Sequence, residues 1–311
     1  MEIIIPILGL LVALAVLVRG ADVFVDGATA LGGALGMSSF AIGVLIVGFG
    51  TSLPEFASSF AAVLQGSTDI AIANVVGSNI TNVLLIVGLT TIIGGAIYIK
   101  QDLLKTELPV FFIATTHVVF SLRDGVIDRL ESVLLLGTFA AYVWYLFVES
   151  RNGTSEGQDQ RPPIRMQSIG FIIGGLAALI LGAKISVDMI ERLGEALSIP
   201  VGLISITVLA IGTSLPELFV SVRAALRKEV DLAIGNIFGS NAFNALFVIG
   251  IPGLLMPLTA DTITMELGLP VMIAASLILV IAGLSTRIMR WEGIMMLMFF
   301  AFFIAKLTVY L

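Results

Sequence analysis

The hexapeptide Gly50-Thr51-Ser52-Leu53-Pro54-Glu55 returns unchanged as Gly212-Thr213-Ser214-Leu215-Pro216-Glu217. Each copy interrupts a long apolar run. Ser38 to Leu64 holds no charge but Glu55, and Ile199 to Val222 none but Glu217. A carboxylate in the middle of a segment suited to hydrocarbon costs roughly 2.5–3.5 kcal/mol on insertion scales, so two in matching settings point to function. The expectation is that they face each other inside a membrane and bind a metal cation.

Composition sets the frame. Of the 311 residues 58% are hydrophobic and 12% charged, with a mean hydropathy of +1.09. A soluble domain carries roughly 25% charged residues, so the chain reads as an integral membrane protein. The net charge of −6, with no basic cluster, gives no reason to expect a nucleic acid. The absence of cysteine excludes disulfides, zinc-thiolate sites and iron–sulfur clusters. The N-terminal Met1-Glu2-Ile3-Ile4-Ile5 lacks the basic region of a signal peptide, so its apolar run is read as a first span.

Ten apolar runs long enough to span are legible, roughly 3–18, 38–64, 70–98, 108–122, 130–148, 168–187, 199–225, 231–256, 265–285 and 292–310. The second, third, seventh and eighth are rich in Gly, Ala and Ser, which lets helix backbones approach closely. The first, fifth and tenth are bulkier, as lipid-facing helices tend to be. The polar segment Glu149 to Arg165, with Gly153, Gly157, Pro162 and Pro163, reads as a linker. It marks the midpoint of an internal repeat. Asp69, Asn74, Gly77, Ser78, Asn79, Asn82 and Gly88 recur 162 positions later as Asp231, Asn236, Gly239, Ser240, Asn241, Asn244 and Gly250, in the register of the hexapeptide. Five spans per half is an odd number, so the second half must enter the membrane from the opposite side. The predicted fold is therefore all-α and integral to the membrane: ten transmembrane helices as two inverted repeats, 1–148 and 167–311, joined by a cytoplasmic linker at 149–166. With both termini outside, the inner loops collect eleven Lys and Arg residues against five outside, which favours extracellular termini in a multi-pass protein of the cell membrane.

The chemistry follows from what the motifs expose. Pro54 and Pro216 lack an N–H and clash with the carbonyl four residues back, so each helix should bend or unwind there. Backbone oxygens near residues 47 to 51 and 209 to 213 should lose their partners, which a membrane tolerates only inside the protein or beside a water-filled cavity. Thr51 and Ser52 lie four and three residues before Glu55, on its face of a helix, and Thr213 and Ser214 stand in the same relation to Glu217. Ser78 with Asn82, and Ser240 with Asn244, are likewise four apart on the following helices. Carboxylates, hydroxyls, amide oxygens and freed carbonyls are hard donors, enough for the six to eight ligands of calcium and acceptable to sodium; copper, zinc or iron would call for His or Cys. Two close, buried carboxylates need cationic company, supplied by one Ca2+ or by two or more Na+. Mutually exclusive occupancy by the two ions would give exchange. Blander readings stand beside these. Either Glu could pair with a basic residue such as Lys184, each Ser or Thr could simply join helices, and Asn82 and Asn244 could be interhelical glue. Asp22, Asp26 and Asp188 read as interfacial or helix-contact residues, and His117, alone in the fourth span, as a packed or pore-edge one.

A GTSLPE followed by GSNxxN, twice, in inverted five-helix halves, resembles the sodium/calcium exchanger branch of the calcium/cation antiporter superfamily, in its prokaryotic form. The resemblance covers nearly the whole chain. It implies that Glu55 and Glu217 are the central ligands of calcium and sodium, with oxygens from Thr51 and Thr213 and with Ser52 and Ser214 beside them. It further implies sodium ligation by Ser78 and Ser240, Asn82 and Asn244 lining the centre, and sodium-binding carbonyls at Gly48 and Ala210. In this family the first and sixth helices are taken to slide across the core. Two Asn at 82 and 244 argue against potassium co-transport, and a linker of about seventeen residues leaves no room for the regulatory domain of eukaryotic exchangers. The implied function is secondary antiport of Ca2+ against Na+ by alternating access. The near alternative is a calcium/proton (or other divalent cation/proton) antiporter on the same carboxylates. No ATP-binding Gly-rich loop, no GxSxG and no HExxH occur, so neither an ATP-driven pump nor an intramembrane hydrolase is expected, and the chain is read as a non-enzyme. Kinked helices with buried charge fit binding and rocking better than a passive channel. The expected partners are the two ions and the bilayer, with no cofactor and no obligate protein partner.

Overall fold

The computed structural model describes residues 3–98, 107–152, 163–197 and 211–309. Helices dominate: α1 (Ile4–Leu35), α2 (Ser39–Leu64), α3 (Thr68–Gly94), α4 (Glu107–Ser121), α5 (Arg129–Asn152), α6 (Met166–Ala196), α7 (Leu215–Leu226), α8 (Val230–Leu255), α9 (Thr264–Leu284) and α10 (Arg290–Leu307). Among the described residues, six of these are long and apolar enough to cross a membrane: α1, α2, α3, α6, α8 and α9. The rest of the predicted seventh span, 199–210, lies outside the described residues.

The first and sixth helices differ from the sequence reading. The apolar runs end near residues 18 and 187, but α1 continues to Leu35 and α6 to Ala196. In α1 the extension's Asp22 and Asp26 are paired with Arg223 and Arg227, and in α6 Glu191, Arg192 and Glu195 are exposed, so the helical hydrogen bonds have no reason to stop where the hydropathy does. Gly36, at φ 76°, then ends α1 with a left-handed cap that a side chain would strain.

Burial sorts the helices into centre and periphery. The most apolar windows of α8 and α3 are 94% and 78% buried, against 28% for α1 and α6. Around the centre lie helices with large apolar side chains turned outward, including Ile4, Leu8 and Val12 of α1, Val133 and Trp144 of α5, and Met298 and Phe302 of α10. This matches the bulk of the first, fifth and tenth runs.

The repeat is visible in the packing. Helices α1 and α6 occupy equivalent places in the two halves and lie antiparallel: Gly9 faces Met189, Gly20 faces Ala178 and Gly27 faces Phe171. Small residues make this crossing close. A Cβ on Gly175 would sit 2.5 Å from the Phe24 backbone nitrogen, and one on Gly27 2.8 Å from the Ser168 carbonyl oxygen. Two short antiparallel strand pairs tie the halves together at the helix ends. Strand β1 (Ile97–Tyr98) pairs with β4 (Arg287–Ile288), and β2 (Val126–Ile127) with β3 (Leu258–Thr259). Each pair takes one strand from each half, and the 162-residue offset carries one pair onto the other.

Candidate functional site

The two hexapeptides lie at the centre of the molecule, where α2 and the start of α7 are interrupted. Ser52 leaves helical geometry at φ −85°, ψ 6°, and Ser214 does so at φ −87°, ψ 7°. A new helix begins at once, with the proline in its first turn, where a missing N–H costs nothing. Both glutamates follow in that same turn. Upstream of the first break the helix widens to a π form over Gly43–Gly48, and α3 and α8 do the same over Thr81–Val87 and Asn244–Val248. The asparagines at 82 and 244 sit in these wide turns.

Glu55 and Glu217 are 0% and 1% exposed. Each turns towards the opposite half. The Ser52 hydroxyl donates to Glu217 Oε1 at 2.9 Å, and the Ser214 hydroxyl to Glu55 Oε1 at 3.3 Å. Spacing along one helix had put each serine beside its own glutamate; the structure pairs it instead with the glutamate of the other repeat. The Ser78 hydroxyl adds a long contact to Glu55 Oε1 at 3.5 Å and lies 3.5 Å from the Thr213 hydroxyl. The second oxygen of each carboxylate, Oε2, is buried without a hydrogen-bond partner, and so are both side-chain polar atoms of Asn82 and of Asn244. Unpartnered buried acceptors are costly, and a carboxylate more so than an amide. Their convergence makes this a region that would welcome a cation.

The backbone differs from the sequence reading in detail. The Val47 carbonyl is not free: it accepts from the Thr51 hydroxyl at 3.0 Å. The Gly48 carbonyl accepts from the Ser52 N–H and from the Ser240 hydroxyl, each at 3.2 Å. At these two positions the oxygens keep partners, including a hydroxyl each, and are not stripped. Gly48 is also a point of close approach by α8, since a Cβ there would meet the Ser240 nitrogen at 2.9 Å. Ala210, its repeat equivalent, lies outside the described residues. Thr51, Ser52, Ser78, Ser214, Ser240, Asn82 and Asn244 are all buried, and Thr213 is partly so. Among the described residues Lys184 makes no ion pair with either glutamate. No group of three or more His, Cys, Asp or Glu side chains is placed to hold a metal among those residues, so the donor set is two carboxylates plus neutral oxygens.

Sequence reasoning passed over Asn74 and Asn236. The Asn74 amide donates to the Glu55 carbonyl at 3.2 Å and the Ser59 hydroxyl at 2.9 Å; Asn236 does the same for Glu217 at 3.3 Å and Ser221 at 2.8 Å. Each fixes the turn that carries a carboxylate. Both asparagines and both serines recur at the 162-residue spacing, which was the available signal. The side-chain amide of Asn79 reaches the carbonyl of Asn241, its own repeat counterpart, at 3.4 Å. The axis relating the halves therefore passes beside the carboxylates. Away from the centre, Asp22 and Asp26 of α1 meet Arg223 and Arg227, with Arg223–Asp22 at 2.7 Å and Arg227–Asp22 at 2.8 Å. This bears out their reading as helix-contact residues.

The sequence profile of the family described as sodium/calcium exchanger protein matches residues 5–148 and 167–309. The chain belongs to this family. The sodium/calcium exchanger MaX1 of Methanosarcina acetivorans is 35% identical over 340 residues, covering 96% of this chain and 97% of its own. The inner membrane protein YrbG of Escherichia coli is 33% identical over 281 residues, covering 86% of each chain. A solved structure of the sodium-calcium exchanger NCX_Mj, soaked with 10 mM Na+ and no Ca2+, superposes with a TM-score of 0.81 at 30% identity, over 97% of this chain and 99% of that one. As a member of this exchanger family the chain is a multi-pass membrane transporter of cations, whose work needs no chemical transformation of a substrate.

Proposed function

We propose that this exchanger moves Ca2+ against Na+ across the cell membrane, one ion type displacing the other at a single central site. The observation that carries the reading is the reciprocal pair of buried carboxylates, each bound by the other half's serine and each keeping one oxygen unpartnered. Two negative charges in a low-dielectric interior match one divalent or two monovalent cations, and an empty, doubly charged site resists rearrangement. Glu55 and Glu217 would bind either ion. Thr51, Ser52, Ser78 and Asn82, with Thr213, Ser214, Ser240 and Asn244, would supply neutral oxygens, and Gly48 and Ala210 carbonyls for sodium.

The arrangement assumed is ten spans in two inverted halves, with both termini on the outer face. The antiparallel α1–α6 crossing and the crosswise strand pairs support it, since an odd number of spans per half brings equivalent turns to opposite faces. The test is calcium uptake by vesicles containing the purified chain, under imposed sodium or proton gradients. Uptake should follow the sodium gradient and saturate. Uptake that follows only the pH gradient would replace this reading with calcium/proton antiport on the same carboxylates.

A further inference from the structure

A cavity of about 330 Å³ opens between α2, α6 and the break before α7, lined among others by Pro54, Ser58, Lys184, Gly212 and Thr213. Its inner end belongs to the site: the Thr213 hydroxyl lies 3.5 Å from that of Ser78, which contacts Glu55. Among the described residues Lys184 is the one charged residue lining it. Its side chain is exposed, and among the described residues no carboxylate stands within ion-pair distance of it. Asp188, one turn further along α6, does not line the cavity.

The equivalent position in the first half carries the opposite charge and is neutralised. Asp22, 162 residues earlier, is held by Arg223 and Arg227, while Ala61 and Gln65 occupy the places of those arginines in the other half. The two equivalent positions flanking a near-symmetric site are thus electrically unlike.

We propose that Lys184 is a specificity-determining residue of the passage to the site, handicapping divalent against monovalent cations on the face where this cavity opens. The inference rests on the exchanger reading. A fixed positive charge scales the local concentration of an ion by a Boltzmann factor, and for a divalent ion that factor is squared. At a separation of roughly 8 Å in a water-like medium, a unit charge changes a monovalent ion's local concentration by about twofold and a divalent ion's by about fivefold. Mobile salt shrinks both effects. A lysine that only anchors α6 at the membrane surface, its ammonium reaching for water, would not distinguish ions by valence.

The experiment measures half-saturating Ca2+ and half-inhibiting Na+ on each face, using right-side-out and inverted membrane vesicles, for the wild type, K184Q, K184M, K184R and K184E. K306Q, a charge removed far from the cavity, serves as control. On the Lys184 face, K184Q and K184M should lower the Ca2+ value about fivefold and the Na+ value about twofold. K184E should move both further in the same direction, K184R should behave as wild type, and the opposite face should not respond. Raising ionic strength with choline chloride should shrink the shifts. Unchanged values, equal shifts for both ions, or shifts indifferent to salt or to face would overturn the inference while leaving exchange intact. Wild-type vesicles without sodium-driven calcium flux would instead sink the exchanger reading, and this inference with it.

Discussion

The centre and the rim of this molecule treat the same internal repeat in opposite ways. At the centre the two halves agree nearly letter for letter, and the contacts of the serines and asparagines that hold the glutamates agree as well, though Ser78 and Ser240 differ: Ser52 to Glu217 mirrors Ser214 to Glu55, and Asn74 braces one helix as Asn236 braces the other. At the rim the agreement is gone. Asp22 is locked in a network with two arginines, and its counterpart Lys184 lines an open cavity. A cation at the centre demands the same chemistry from both sides, because neither half alone supplies two charges. The two faces of a membrane meet different solutions, so nothing requires the approaches to match.

The largest effects should come from the centre. Glu55→Gln and Glu217→Gln should each reduce calcium exchange by about 10²–10⁴-fold, because removing one of two buried charges costs about 3–5 kcal/mol. Wild-type-like calcium flux in either variant would overturn the ligand assignment. Ser52→Ala and Ser214→Ala should each weaken calcium binding by about tenfold or more, the worth of a hydrogen bond to a charged group. Equal losses would sharpen the comparison, and isothermal titration of both variants that found only one of them impaired would break the claimed symmetry.

Rim substitutions should act on stability more than on the site. Arg223→Ala removes three hydrogen bonds to an aspartate whose side chain is 14% exposed, yet leaves Arg227 in contact with it. A loss of about 1–2 kcal/mol is expected, read as a lower thermal midpoint in detergent, with Ca2+ affinity unchanged. The smallest effect is at Glu229, just before α8. Burial, helped by the nearby Asp26, raises its carboxyl above the ordinary range, while Arg227 pulls the other way. An acid harder to ionise folded than unfolded penalises the fold as pH rises. Glu229→Gln should therefore stabilise slightly at neutral pH, and the gain should vanish below the usual glutamate titration near 4.3. A gain that persisted in acid would show that the effect is not ionic.

Much of this was legible beforehand because the repeat writes the centre twice. A lone buried glutamate is ambiguous, but Glu55 and Glu217 in the same hexapeptide, each followed by the same asparagine and serine pattern, are not. What the letters hid was partnership. Side-chain periodicity relates residues along one helix, so Ser52 was placed with Glu55, and only the crossing of α2 and α7 hands it to Glu217. The ends of α1 and α6 were hidden for a related reason. Hydropathy falls at Arg19 and Asp22 on α1 and at Asp188 and Glu191 on α6, yet Asp22 and Asp26 find arginines and Glu191 is exposed, so the backbone continues.

The strand pairs carry a consequence of their own. Because, among the described residues, β1 finds its mate in β4 and β2 in β3, a five-helix fragment would present two bare edges and half a binding pocket. A second identical fragment, laid down in the reverse sense, would cover both edges at once and restore two acids at the centre. Each half thus completes the other twice over, at the strand edges and at the carboxylates.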